Sequence, residues 1–328
     1  MSPYPWLDSR WAELAAQREN SPHALLIHGP LGVGKLALAR RFAQLILCET
    51  ATVSSPCGHC EGCRWFAWLP APGLPPDRTG SAGCPRRARR RCSRPSKAAK
   101  PSFEIKVEQV RELAGFLNIG SHRARRRVAV FHPAENMNSN SANALLKSLE
   151  EPASGACFIL ISNKPQRLLA TVRSRCVSLP IGMPMASVTR DWLRSEKVED
   201  AEDWLAYAGG APLLARSLAD STRGGRIRQL TALLRANDRD GLLAWNATDR
   251  EDIEMLAEVL QKWACDQALL SFSGKSLYFN KISQGNGGRS ARDWLRFARE
   301  AGQFRRAARH PLNPKLFAAE IIGAMPRV

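Results

Sequence analysis

Nowhere in the 328 residues does an apolar run approach the roughly 18 positions of a membrane-crossing helix, so no helical span is expected. The opening residues, MSPYPWLDSRWAELAAQREN, hold no apolar core of signal-peptide type. A soluble, cytoplasmic protein without a membrane partner is therefore the expectation. Acidic side chains are scarce, 30 against 48 Lys and Arg, which leaves a net charge of +18 and points to an acidic partner such as nucleic acid. Residues 68–101 account for much of it, with seven Arg and two Lys against one Asp. No extreme bias marks the full-length composition: 44% of residues are hydrophobic, enough for cores in roughly two or three domains. Cysteine, by contrast, is plentiful, and in a reducing compartment its nine copies call for metal rather than disulfides.

Two further absences concern chemistry. His23–His28 is an apolar run of strand type, and Gly29-Pro30-Leu31-Gly32-Val33-Gly34-Lys35-Leu36 follows at once. This is the GxxxxGK pattern of a phosphate loop, with a helix next through Leu38, Phe42, Leu45 and Ile46. Backbone N–H groups of such a loop cradle phosphate, and the lysine adds charge. A hydroxyl that would hold Mg²⁺ is missing, because Leu36 stands in its place. The second strand-like run, Arg127–His132, ends in His132-Pro133 where an acidic residue would complete the Mg²⁺ shell, and Glu135 lies only downstream. Both Mg²⁺-handling positions are lost. Nucleotide binding at Gly29, Gly32, Gly34 and Lys35 stays open, whereas hydrolysis there is not expected.

Cys48, Cys57, Cys60 and Cys63 are spaced C-x8-C-x2-C-x2-C. Four thiolates on tight turns close a tetrahedral site, which favours structural Zn²⁺ with no open position for catalysis. His59 is the weaker alternative ligand. Residues 68–101 break the pattern with seven prolines and arginine runs. They read as a disordered insertion, as a basic arm on DNA, or as an out-of-frame stretch, and resequencing separates the last from the others. Cys84 and Cys92 lie there and are not assigned to metal.

From Asn140 to Cys176 the chain reads as one mechanical unit. Ala142, Leu145, Leu146 and Leu149 share a helical face, Cys157–Ile161 suits a buried parallel strand, and Ser174-Arg175-Cys176 ends the stretch. An arginine at the edge of a rigid sheet can point at a neighbour's anion. Val177–Ile181 reads as a last strand, 185–220 as a small helical unit, and about 222–328 as helical without strand signals, with Gly285–Gly288 as a loop. Arginines on the last helices read as a solvated face.

With these motifs in place the chain resembles the delta-prime family of bacterial DNA polymerase III clamp-loader subunits. The resemblance rests on the four-cysteine spacing, IKVEQVREL at 105–113, NALLKSLEEP at 143–152, PQRLLATVRSRC at 165–176 and HPLNPKLFAAEII at 310–322. It implies an α/β AAA+ P-loop module over 1–182 with a zinc-binding insertion at 48–63. A helical lid over 183–222 and an all-α collar or oligomerisation domain over 223–328 would follow. It implies a subunit of a ring that uses ATP to place a sliding clamp on primed DNA, with gamma/tau ATPase subunits and a delta subunit as partners and ATP bound by those neighbours. It also implies that Arg175 reaches into a neighbour's ATP site, that the chain itself has no catalytic activity, and that the four cysteines hold zinc. Gly210-Ala211-Pro212-Leu213 lacks the arginine of active relatives, and Ser162 and Asn163 fall in the polar-sensor region. An active P-loop ATPase and a zinc-bearing DNA-binding protein are the competing readings.

Overall fold

The computed structural model describes residues 3–52, 54–66, 104–118, 126–280, 282, 290–308, 310 and 313–326. Residues 68–101, with Cys84 and Cys92, and the Gly285–Gly288 loop lie outside them. The chain divides into two compact units, Met1–Met183 and Pro184–Val328.

The first unit is built on four parallel strands: β1 (Ala24–His28), β2 (Arg127–Phe131), β3 (Ala156–Ser162) and β4 (Val177–Pro180), in the order β2-β3-β1-β4. Helices α1 (Asp8–Ala16), α2 (Lys35–Leu47), α3 (Glu61–Phe66), α4 (Val107–Asn118), α5 (Ser139–Glu150) and α6 (Ala170–Arg173) connect or flank them. β3 is buried over its whole length, which explains why its sequence is a continuous apolar run rather than an alternating one. In register, Leu26 faces Leu160 of β3 on one side and Ser178 of β4 on the other.

Strand alternation divides the core into two layers. Leu25, Ile27, Ile159 and Ile161 pack with Leu38, Phe42 and Leu45 of α2 and Trp11 and Leu14 of α1. Leu26, Phe158 and Leu160 pack on the opposite face with Val110 of α4 and Leu145 and Leu149 of α5. The helix predicted from Leu145 and Leu149 starts where a cap is available: the Asn138 side chain accepts the Ser141 N–H at 2.8 Å. Removing that cap by Asn138→Ala is expected to destabilise the unit by about 1 kcal/mol. A urea unfolding midpoint measures it, and an unchanged midpoint would show that the cap contributes nothing.

Helices alone make up the second unit, among the described residues: α7 (Ala186–Ser195), α8 (Ala201–Tyr207), α9 (Pro212–Ala219), α10 (Thr222–Arg235), α11 (Arg239–Ala244), α12 (Arg250–Ser273), α13 (Ala291–Ala307) and α14 (Pro314–Ala324). Its buried apolar side chains form one cluster from Leu193 to Met325. One face of α12, Ile253, Leu256, Val259, Leu260 and Trp263, is buried in it, and so are Trp294 and Ala298 of α13. Among the described residues no helix is long and apolar enough to cross a membrane.

Candidate functional site

At the carboxyl ends of β1, β2, β3 and β4 the chain turns into Gly29, His132, Asn163 and Ile181, the edge at which open α/β sheets present ligand sites. The glycine loop leaves β1 there. Gly29, Gly32 and Gly34 all take positive φ, at 147°, 79° and 95°. Two of these positions are also tight: a Cβ on Gly29 would lie 1.9 Å from the Ile181 carbonyl oxygen, and one on Gly34 would lie 2.7 Å from the Tyr4 ring. The loop is held from the N-terminus as well. Tyr4 and Trp6 stack with ring centroids 5.0 Å apart, and Trp6 Nε1 donates to the Val33 carbonyl at 2.9 Å.

Lys35 is the first residue of α2 and is buried. Its ammonium donates to the Gly29 carbonyl at 2.9 Å and to the Pro30 carbonyl. Burial lowers its pKa to about 8, and the nearby Glu135 carboxylate works in the opposite direction. Leu36, which stands where a metal-binding hydroxyl would be needed, is half-buried against the apolar layer under α2. His132 and His28 are both lowered below the ordinary imidazole value, first by burial and then by the Lys35 charge. Glu135 sits closer to this chemistry than its place downstream of His132 implies. It follows β2 in a tight 3-10 turn, Ala134–Asn136, one oxygen accepts the Asn163 N–H at 3.0 Å, and the other is buried without a hydrogen-bond partner among the described residues. The glycine loop and Lys35 fit a phosphate. The donor set does not fit its metal, because one carboxylate stands where a hydroxyl and an acid are needed.

The four predicted cysteines converge. The Sγ atoms of Cys48, Cys57, Cys60 and Cys63 lie within 4.8 Å of one another. Cys48 to Cys60 is 3.8 Å and Cys57 to Cys63 is 4.0 Å. Four thiolates around a zinc ion at Zn–S distances of about 2.3 Å are separated by about 3.8 Å, so the sulfur cage has the right size. Backbone N–H groups point at three of the sulfurs, from Cys57 to Cys48 at 3.2 Å, Cys60 to Cys57 at 3.3 Å and Cys63 to Cys60 at 3.4 Å. Such bonds favour the charged thiolate that a metal requires. His59 instead engages the Cys57 carbonyl at 2.9 Å through Nδ1 and is not one of the four converging groups. Gly58, at φ 80°, makes the turn, and a Cβ on Gly62 would strike the Leu47 carbonyl at 2.1 Å, so α3 is pressed onto the end of α2.

Arg175 follows α6, just before β4. Its Nη1 donates to the Thr171 carbonyl at 2.9 Å and its Nη2 pairs with Glu150, the last residue of α5. The side chain is half-buried and turned to its own chain. Arg173 is exposed and close enough to His28 to lower its pKa. Ser162 is buried, and its hydroxyl accepts the Lys164 N–H at 3.1 Å. In the second unit, Pro212 begins α9 and Gly209 and Gly210 take positive φ before it.

Three features escaped the sequence: the Tyr4–Trp6 brace, the approach of Glu135 to Lys35, and Glu150 as the partner of Arg175, for which an ion pair within its own subunit is an alternative reading. Only the second left a signal, since an acid so soon after the end of a central strand has few places to go.

Residues 9–184 match the family model described as DNA polymerase III, delta subunit. DNA polymerase III subunit delta-prime of Pseudomonas aeruginosa is 36% identical over 276 residues, covering 81% of this chain and 76% of that protein. The delta-prime subunit of Escherichia coli is 30% identical over 266 residues, covering 75% and 74%. The tau subunit of Salmonella typhimurium is 32% identical over 155 residues, 47% of this chain and 21% of that protein. With a glycine loop, a four-cysteine cage and Arg175 between α6 and β4 set in that matched region, the chain belongs to the DNA polymerase III delta-prime family.

Proposed function

We propose that this chain is a non-hydrolysing subunit of a DNA polymerase III clamp loader and that it supplies Arg175 to the ATP site of a neighbouring ATPase subunit. In this reading the neighbours are gamma/tau ATPase subunits and a delta subunit, and the assembly opens a sliding clamp and places it on primed DNA. The four cysteines hold a structural zinc ion, which ties α3 to the end of α2 when bound. Residues 183–222 act as a lid and 223–328 as the collar through which subunits associate. The chain contacts DNA through the complex and works in the cytoplasm.

One observation carries the reading. The loop keeps the glycines and the lysine of a phosphate loop, yet Leu36 is packed against an apolar layer and His132 stands where an acidic residue would hold Mg²⁺, which supports a loop without its own hydrolytic chemistry. The nucleotide that Arg175 serves is then next door. Among the described residues, the Arg175 side chain is held by a partly exposed ion pair and one bond to a carbonyl, a hold that is worth little and can be released without disturbing the core.

Two measurements on the purified chain test this. Alone, it is expected to hydrolyse no ATP above background at pH 7.5 in the presence of Mg²⁺. Mixed with a tau-type ATPase subunit, it is expected to co-elute as a stable complex that holds zinc on the delta-prime chain. Turnover by the isolated chain, or failure to co-elute, overturns the proposal.

A further inference from the structure

The Arg175–Glu150 pair has a consequence beyond the role of the arginine itself. Glu150 ends α5, where the carbonyl end of the helix already carries partial negative charge. A carboxylate there is unfavourable alone, and the guanidinium of Arg175 beside it relieves both charges. Arg175 is anchored a second time by the Thr171 carbonyl one turn back on α6, so both terminal nitrogens are in use on its own chain. If this pair persisted while Arg175 contacted a γ-phosphate, the Glu150 carboxylate would lie close to the phosphate oxygens and repel them. Phosphate and Glu150 therefore compete for one guanidinium.

We infer that Glu150 is a positioning residue that parks Arg175 on its own subunit until a neighbour's nucleotide displaces it. The inference rests on the reading of Arg175 as an arginine supplied in trans. It differs from a plain structural ion pair in three ways. The effect of Glu150 must pass through Arg175, it must weaken with salt, and it must appear in the use of ATP rather than in folding. The side chains of Arg175 and Glu150 are 35% and 48% exposed, so changes here leave the core intact.

The test uses the complex reconstituted with its ATPase subunits, clamp and primed DNA, with kcat and KM for ATP measured at low and high ionic strength. Glu150→Gln keeps the shape and removes the charge. It is expected to raise kcat/KM about two- to fivefold at low salt, the range that an exposed ion pair allows, with the gain fading at high salt. Glu150→Asp keeps the charge and is expected to stay near the parent value. In an Arg175→Ala background, Glu150→Gln is expected to change nothing. An equal gain in that background, or no gain in the parent while Arg175→Ala impairs turnover, overturns the parking role and leaves the trans arginine standing. If Arg175→Ala itself leaves turnover unchanged, the trans reading fails and parking falls with it.

Discussion

Arg175→Ala is expected to lower ATP turnover by the reconstituted complex by up to about 10³-fold, the lower end of what trans-acting arginines contribute to phosphoryl transfer. The physical reason is charge. Negative charge spreads over the γ-phosphoryl oxygens in the transition state, and a guanidinium placed there stabilises it in a site from which water is excluded. Nothing comparable is lost at home. The side chain is partly exposed, and its ion pair with Glu150 contributes at most about 1 kcal/mol after solvent screening. The isolated variant should therefore melt within a few degrees of the parent and still assemble. Clamp- and DNA-stimulated hydrolysis at the parent rate would sink the assignment. Arg175→Lys separates charge from geometry, because a lysine keeps the charge and loses the planar fork, and it is expected to recover only a minor part of the rate.

The second large effect concerns the sulfur cage. In Cys63→Ser the chain should lose most of its zinc, and the segment from Cys48 through α3 should open. Structural zinc sites of this type contribute apparent binding energies of about 10–16 kcal/mol, far more than the packing of so short a helix. Cys57, Cys60 and Cys63 each donate a backbone N–H to a neighbouring sulfur, so those amides are specific reporters. Their hydrogen exchange should be slow in the zinc-loaded chain and fast in the variant, while amides of β3 stay protected in both. Elemental analysis showing undiminished zinc in Cys63→Ser would refute a four-cysteine site. Without metal, burial holds the Cys63 thiol up at about 12, whereas a hydrogen bond from the Thr50 side chain draws Cys57 down to about 5. Cys60 is lowered as well, with backbone hydrogen bonds acting against the burial that would raise it.

How much of this was legible before the structure depended on distance along the chain. β3 and the start of α5 were readable because their signals are local: an unbroken apolar run, and a cap next to a periodic face. The metal cage was readable for the same reason, since three of its four ligands fall within one turn-rich segment and the fourth follows α2 directly. The proposed loss of Mg²⁺ chemistry rests on Leu36 and His132, two identities at fixed offsets from strand ends. What stayed hidden were contacts between elements. Glu150 and Arg175 belong to separate elements, and only the turn through α6 brings them together. Tyr4 presses on Gly34 across a whole strand and helix, with no periodicity to announce it. Glu135 looked remote because offset along the chain was taken for distance, and the 3-10 turn after β2 folds it back.

Helix α2 joins the two chemistries of the first unit. Its first residue is Lys35, in the phosphate loop, and its C-cap is Cys48, a sulfur of the cage. The helix is therefore a keyed shaft. Each residue added to or removed from it would turn one end by about 100° relative to the other and shift it by about 1.5 Å. Composition along α2 is free to drift wherever the buried face is kept, but its count of residues is not. Point substitutions at half-buried Ala37, Arg40 and Gln44 should be silent at both ends, whereas a single-residue insertion should cost the loop or the metal.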